Sequence, residues 1–403
     1  MRSSLFQPVA AGVIAAFVGF ASSFAVVLKG LTAVGANDAQ GASGLMALAI
    51  AMGVASIVLS LATRMPVAAA WSTPGGALLA ATGATAGGFA EATGAFLVVG
   101  LLFVAAGLIR SFGRLVAAIP STLANAMLAG VLFGLCLAPI RALAEAPGSA
   151  AAIIVAWFVV SRWKRLYATP AAAIVALILI GLNGPGGVGL AELTPRAAWT
   201  TPAFSASAMV SLALPLFIVT MASQNLPGAA VLAAFGYRPP PGPLIATTGV
   251  FTILTAPFGG HAVNLSAIVA ALCAGEEASP DRAKRWIAAV SFGAASIVLG
   301  LMAGGVARFV AGAPILVEAV AGLALLNAFG GALSGALADV KEREAALATF
   351  LVTASGVSFL GVGGAFWGLV VGAAALFFDR ARERAAVQAQ PPETTASEPA
   401  SRT

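Results

Sequence analysis

Charge is what this sequence has least of. Asp, Glu, Lys and Arg make up 9% of its 403 residues, while AVILMFWYC make up 60%. A soluble chain of this length needs far more charge to cover its surface. Histidine is nearly absent too: there is one, His261, beside two cysteines. A metal centre would need more histidines, and Cys136 and Cys273 stand far apart in or beside apolar runs, so neither a metal site nor a disulfide is expected. No cofactor is expected either. The net charge of +6 belongs to the loops. With no basic domain behind it, nucleic acid is not an expected partner. Ten-residue alternating strands are missing, which argues against a membrane β-barrel. No H-E-x-x-H motif and no paired intramembrane aspartates occur, so an intramembrane enzyme is only a remote alternative.

What is present is a succession of apolar runs of about 20 residues, the signature of membrane-spanning helices. The runs predict an all-α polytopic membrane protein with fourteen segments: 9–28, 43–62, 74–88, 92–109, 117–138, 149–163, 168–186, 208–233, 244–256, 262–275, 286–307, 314–337, 346–362 and 364–378. The third and tenth are too short to cross fully. The first reads as a retained span rather than a cleaved signal, because no A-x-A-type site leads into a soluble domain. With the N-terminus inside, the inner loops hold every Lys and Arg except Lys29, Arg141, Arg196 and Arg308. The positive-inside rule therefore predicts both termini in the cytoplasm, in a bacterial inner membrane. Residues 381–403, charged and then rich in Pro, Ser, Thr and Ala, read as a disordered cytoplasmic tail.

Fourteen segments divide into two halves, 1–190 and 191–380. Pro8 and Pro202 are 194 positions apart, as are Pro120 and Pro314, each pair at the start of corresponding segments. The same offset takes Trp71 to Leu265, setting "AWSTPGGALLA" against "GGHAVNLSAIVAAL". Seven is odd, so the second half enters the membrane in the opposite sense. That is an inverted repeat, and interrupted helices at matching positions mark a substrate site.

Both interrupted stretches begin extended and then turn helical. In "PVAAAWSTPGGALLAATG", Pro74 suits a first helical turn and Ser72 or Thr73 can cap it. In "TAPFGGHAVNLSAIVAAL", Pro257 and Gly259–Gly260 break the backbone. Non-helical backbone at membrane depth persists only when it is buried in protein or lines a cavity. Two half-helices that start near the midplane would aim free N–H groups and partial positive charge at one point, a site suited to an anion. The eighth segment adds "TMASQNLPGAAVL", with Gln224 and Asn225 in mid-span beside Pro227–Gly228. Adjacent carboxamides in hydrocarbon must face protein or water.

"AWSTPGGALLA", "TMASQNLPG" and "PFGGHAVNLSAI" resemble the recurring segments of the benzoate/proton symporter (BenE) family, over nearly all of residues 1–380. That family is related to the nucleobase permeases and the sulfate-type anion transporters. The resemblance implies a seven-plus-seven inverted repeat, a core domain moving against a gate domain, and short strands before helices 3 and 10. It also implies benzoate as the substrate. One departure stands out. Nucleobase permeases carry acidic residues on helices 8 and 10, whereas this chain has Gln224, Asn225 and Asn264 there. The residues by themselves indicate a small organic anion with an apolar body.

The expected substrate site is Ser72, Thr73, Gly75, Gln224, Asn225, His261 and Asn264, with Asn264 read as one helical turn from His261. Gly76 shares with Gly75 the role of allowing close backbone approach. Each has a plainer reading: serine and threonine cap helices in any case, carboxamides glue helices together, and His261 could only cap. His261 is also a candidate proton carrier, because an imidazole titrates near neutral pH. Glu318, the one acid placed well inside a segment, is the second candidate. The expected function is a secondary active transporter that imports benzoate or a similar aromatic carboxylate with a proton. Its partners are then that anion, the proton and the lipid bilayer, and a homodimer is compatible with the sequence. The alternatives are a carrier of another small anion or of a nucleobase on the same fold, and a channel.

Overall fold

The computed structural model describes residues 5–183, 195–305, 313–360 and 362–388, with backbone alone at 115–117 and 383–388. It is helical apart from two three-residue strands. The first half runs α1 (Phe6–Ala33), α2 (Asp38–Thr63), β1 (Ala69–Trp71), α3 (Thr73–Thr82), α4 (Gly88–Leu108), α5 (Arg110–Ala117), α6 (Ser121–Cys136), α7 (Ala138–Glu145), α8 (Pro147–Trp163) and α9 (Arg165–Asn183). The second half opens with α10, a continuous helix over Ala206–Ala234 with π-helical turns at Met209–Ala213 and Met221–Asn225. It continues with α11 (Pro241–Thr255), β2 (Val263–Leu265), α12 (Ala267–Ala274), α13 (Trp286–Leu301), α14 (Pro314–Ala336), α15 (Arg343–Ala354) and α16 (Gly364–Gln388).

Among the described residues ten helices are long and apolar enough to cross a membrane, with α6 and α7 counted as one. The shorter α8 and α15 and the two strand-plus-helix units occupy the remaining four positions of a fourteen-segment chain. Proline placement follows the rule that its missing N–H costs nothing in a first turn: Pro74, Pro139, Pro147, Pro241 and Pro314 all open helices. Asn37 and Gln40 form a reciprocal capping box at the start of α2.

The helices sort into two bundles. One, the core, holds α1–α4 and α10–α13 with the strands between them; the other, the gate, holds α6–α9 and α14–α16. Within the core, α2 packs on α13 and α4 on α11; the repeat relates α2 to α11 and α4 to α13, so it exchanges these two contacts. Both contacts are glycine to glycine. A Cβ on Gly53 would lie 2.5 Å from the carbonyl oxygen of Gly293, and one on Gly249 2.7 Å from that of Gly100. Such spacing lets bare backbones meet, which is how helices pack where no hydrophobic drive separates protein from lipid.

Several boundaries differ from the sequence reading. The third helix ends at Thr82 rather than 88 because Gly83, at φ +76°, terminates it. The tenth starts at Ala267, not 262, because the preceding residues are held extended by strand pairing. Lys29, assigned to an outer loop, lies inside α1, which runs on to Ala33. The last helix continues through Gln388, past the expected start of the tail at 381, and the tail from 389 to 403 lies outside the described residues.

Candidate functional site

The two strands cross at the centre of the core. They pair antiparallel as Ala69 with Leu265, Ala70 with Asn264 and Trp71 with Val263. The ladder extends one bond each way: Ser72 N–H donates to the Ala262 carbonyl at 3.1 Å, and Ser266 N–H to the Ala68 carbonyl at 3.0 Å. A two-stranded ladder leaves two outer edges, and buried edge groups need partners. Hydroxyls from neighbouring helices supply them. Ser56 Oγ accepts from Ala69 N–H at 2.9 Å, and Thr252 Oγ1 accepts from Val263 N–H at 2.9 Å.

Each strand feeds a helix capped by serine. Ser72 Oγ accepts from Gly75 N–H at 3.0 Å to open α3; Ser266 Oγ accepts from Val269 N–H at 3.2 Å to open α12. The caps leave particular donors open. Pro74 carries no N–H and that of Gly75 is taken, so Thr73 presents the remaining one on α3. Ala267 and Ile268 present theirs on α12. Two helix N-termini, each equivalent to about half a positive charge, thus start from one small sheet at the heart of the core.

Ser72, Thr73, Gly75, Asn225, His261 and Asn264 all belong to this sheet or its flanks. Ser72 is buried and also shares a 2.8 Å hydrogen bond with Thr220 of α10. Thr73 is half-buried at the first position of α3. A Cβ on Gly75 would meet Leu216 Cδ1 at 2.6 Å, so glycine there lets α10 close on α3. On the α1 side the close approach belongs mainly to Gly30, whose Cβ would lie 2.3 Å from the Gly76 carbonyl oxygen, while a Cβ on Gly76 would lie 3.3 Å from the Val26 carbonyl oxygen.

The two amides of α10 have separated roles. Asn225 is buried, and its Oδ1 accepts from Leu265 N–H at 2.9 Å while its Nδ2 donates to Met221 Sδ at 3.3 Å. It ties the π-helical turn of α10 to β2. Gln224 is half-buried and has no hydrogen-bond partner among the described residues. π-helical turns inside α-helices are frequent at functional sites, because they re-aim side chains without ending the helix.

His261 is fully buried in the extended stretch ahead of β2. Its Nε2 lies 2.8 Å from the Ser72 carbonyl oxygen. A carbonyl can only accept, so Nε2 carries the hydrogen. Nδ1 is left buried without a partner, and so is Asn264 Oδ1. Asn264 lies in β2, three residues along extended backbone from His261, and so does not stand one helical turn above it on a shared face. Phe96 of α4 packs edge-on to the imidazole, ring centres 6.2 Å apart.

Glu318 is not in this cluster. It stands on α14 and pairs with Lys29 of α1. Phe217 packs against Phe103 and Phe112, and Phe258 against Trp199. Phe24 stacks on Phe20, which in turn packs against Trp71 at the end of β1. Ser266, Thr220, Ser56 and Thr252 were not singled out from the sequence. Ser266 was findable, because it lies 194 positions from Ser72. The other three hydroxyls leave no local trace.

A pair of broken segments crossing at mid-core, with serine-capped helix starts and a neutral amide beside them, defines a membrane transporter of the inverted-repeat type. Comparison with solved structures agrees. The transmembrane domain of a cyanobacterium bicarbonate transporter, BicA, superposes with a TM-score of 0.60 at 16% identity, covering 92% of this chain and 98% of that one. The anion transporter SLC26A9 gives 0.59 at 14% identity, over 92% of this chain and 66% of that one. The family model for the benzoate membrane transport protein matches residues 4–378, and the chain belongs to that family, BenE. Among its relatives, inner membrane protein YdcO of Escherichia coli K12 is 41% identical over 90% of this chain and 93% of its own length. The benzoate membrane transport protein of Acinetobacter baylyi is 30% identical over 91% and 93%.

Proposed function

We propose that this protein is a secondary active transporter that brings benzoate or a similar small aromatic carboxylate into a bacterial cell together with a proton. The observation that carries the reading is the pair of serine-capped half-helices meeting at β1 and β2, with Gln224, Asn225 and Asn264 beside them and no carboxylate among them. Backbone N–H groups and aligned dipoles favour a carboxylate, and neutral amides add hydrogen bonds without repelling it. The printed name of the Acinetobacter baylyi relative supports benzoate as the anion.

In this reading Thr73 N–H and the free N–H groups of Ala267 and Ile268 meet the carboxylate, and Gln224 fixes its orientation. Asn225 and Ser72 hold the elements in register. Asn264 Oδ1 and His261 Nδ1 are buried acceptors awaiting a donor; Nδ1 is where a proton would be received, and Oδ1 where a bridging water would donate. The core moves against the gate and exposes the site to each side in turn. An anion and one proton cross without net charge, so a pH gradient can drive uptake. Both termini face the cytoplasm, as the distribution of Lys and Arg favours, and residues 1–190 and 191–380 are the two repeats.

Purified protein in liposomes tests this directly. Labelled benzoate should accumulate when the outside is more acidic, and an uncoupler should abolish accumulation. Uptake indifferent to the gradient would remove the proton from the cycle. No uptake of benzoate, with uptake of bicarbonate or uracil instead, would overturn the substrate.

A further inference from the structure

Lys29 is the only charged residue of α1, and Glu318 the only charged residue of α14. Ionisable groups in membrane segments are costly, and they persist where they face protein or water and serve a purpose. These two find each other: Lys29 Nζ forms an ion pair with Glu318 Oε1, and the side chains are 40% and 32% exposed. Lys29 belongs to the core and Glu318 to the gate, so the pair spans the boundary along which a carrier must move. Among the described residues, Arg380 pairs with Glu342 inside the gate and Lys284 with Asp281 inside one loop.

The height of the pair follows from α1. Gly30, next to Lys29, touches Gly76 of α3. Gly76 is four residues past the cap Ser72, about 6 Å along the helix. Lys29 therefore stands roughly one turn beyond the N-terminus that the carboxylate would meet, at the seam between the domains. Both side chains are partly exposed and lose rotamer freedom in making the pair, so it can open without disrupting a packed core. It suits a contact that is made and broken better than one that staples a fold.

Resting on the carrier reading above, we propose that Lys29 is the cation that receives the anion on its way to the half-helix site, occupied by Glu318 while core and gate lie together and released to the substrate carboxylate when they part. Glu318 acts as an internal stand-in for the substrate. It neutralises Lys29 in the empty carrier, so that an unpaired charge is not left in the seam, and it competes with the ligand for one ammonium group.

Equilibrium binding of labelled benzoate to the detergent-purified protein tests this, with thermal melting alongside. Lys29→Gln should raise Kd about tenfold or more, the loss of a charge-assisted contact. Glu318→Gln should lower Kd several-fold by freeing Lys29. The exchanged variant Lys29→Glu/Glu318→Lys should recover the melting temperature lost by the single variants, because the pair is remade, yet bind benzoate poorly because the core now carries the anion. Wild-type Kd in both single variants, or full recovery of binding in the exchanged one, would overturn the proposal. If the unmodified protein binds no benzoate, the substrate reading falls by itself. The same variants are then compared with salicylate and bicarbonate as probes, and binding of either that ignores Lys29→Gln overturns the role given to it.

Discussion

Ala70 and Asn264 face each other across the two-stranded sheet, and they are 194 residues apart, the same offset that relates the prolines of the two halves. The register on either side is symmetric about them: Ala69 meets Leu265 and Trp71 meets Val263. The pseudo-two-fold axis of the inverted repeat therefore passes through this pair. Around it the backbone and the cap serines obey the symmetry, and the side chains of the pair itself do not. Ala70 contributes a methyl group, whereas Asn264 contributes a carboxamide whose Oδ1 has no partner. Val67, the positional counterpart of His261, has no imidazole to place against Ser266. A symmetric frame thus carries an asymmetric site, as a substrate without two-fold symmetry needs.

Asn264 Nδ2 donates to the buried Leu265 carbonyl at 2.8 Å, while its Oδ1 is free for the site. Asn264→Ala should therefore lower the melting temperature, because that carbonyl loses its donor at a cost of about 1–3 kcal/mol, and should also raise KM for benzoate at least tenfold. Asn264→Asp, nearly isosteric, would set a fixed negative charge beside two helix starts that favour an anion of their own. Uptake should then be lost while the protein inserts normally. Uptake assays on both variants decide the matter, and wild-type KM in Asn264→Asp would place this residue outside the site.

Gln224 and Asn225 are neighbours with different expected phenotypes. Asn225 supplies the acceptor for the buried Leu265 N–H. Asn225→Ala orphans that donor, which costs about 1–3 kcal/mol, so the main effect should be a lower melting temperature. Gln224 has no partner among the described residues. Gln224→Ala should melt like the parent and fail in uptake through KM. Melting curves and saturation kinetics on the two variants separate the roles, and the reverse pattern would exchange them.

How far the sequence alone reaches can be seen at particular residues. The fourteen segments, their inverted pairing and the two breaks were legible, because composition and the Pro8–Pro202 and Pro120–Pro314 offsets are long-range patterns that survive local noise. What was lost is local. A helical reading of 262–275 put Asn264 above His261, since apolar residues look alike in a buried strand and a buried helix. The extended conformation is imposed by β1, almost 200 residues away, which no window on the sequence contains. Lys29 was taken for a loop residue because a cation near a predicted helix end reads as an anchor. Its partner lies 289 residues along the chain.

The cap serines give a test of the repeat itself. Ser72 and Ser266 occupy equivalent positions, and each accepts from the backbone N–H three residues on. Replacing either by alanine should cost about 0.5–2 kcal/mol. Ser72→Ala should cost more than Ser266→Ala, because Ser72 also holds Thr220 of α10 and its loss leaves that buried hydroxyl without its partner. Thermal melting of the two variants measures the difference. Equal losses would mean that the Thr220 contact contributes nothing to stability.

His261 offers the sharpest contrast between support and transport. Its Nε2–H holds the Ser72 carbonyl, which also accepts from Gly76 N–H at 2.8 Å, so the ring braces the first turn of α3 from the opposite strand. His261→Ala deletes a buried ring and a hydrogen bond together, and both stability and uptake should fall. Asparagine at 261 is the informative substitution, because a carboxamide can still donate towards the Ser72 carbonyl but cannot take up a proton near neutral pH. If His261 only braces, His261→Asn should restore gradient-driven uptake to a large fraction of the parent. If it also carries the proton, His261→Asn should still bind benzoate and exchange it across the membrane, while accumulation driven by a pH gradient disappears. Counterflow and gradient-driven uptake, measured on the same liposomes, distinguish the two. Loss of both activities in a variant that melts like the parent would place the imidazole in contact with the anion itself.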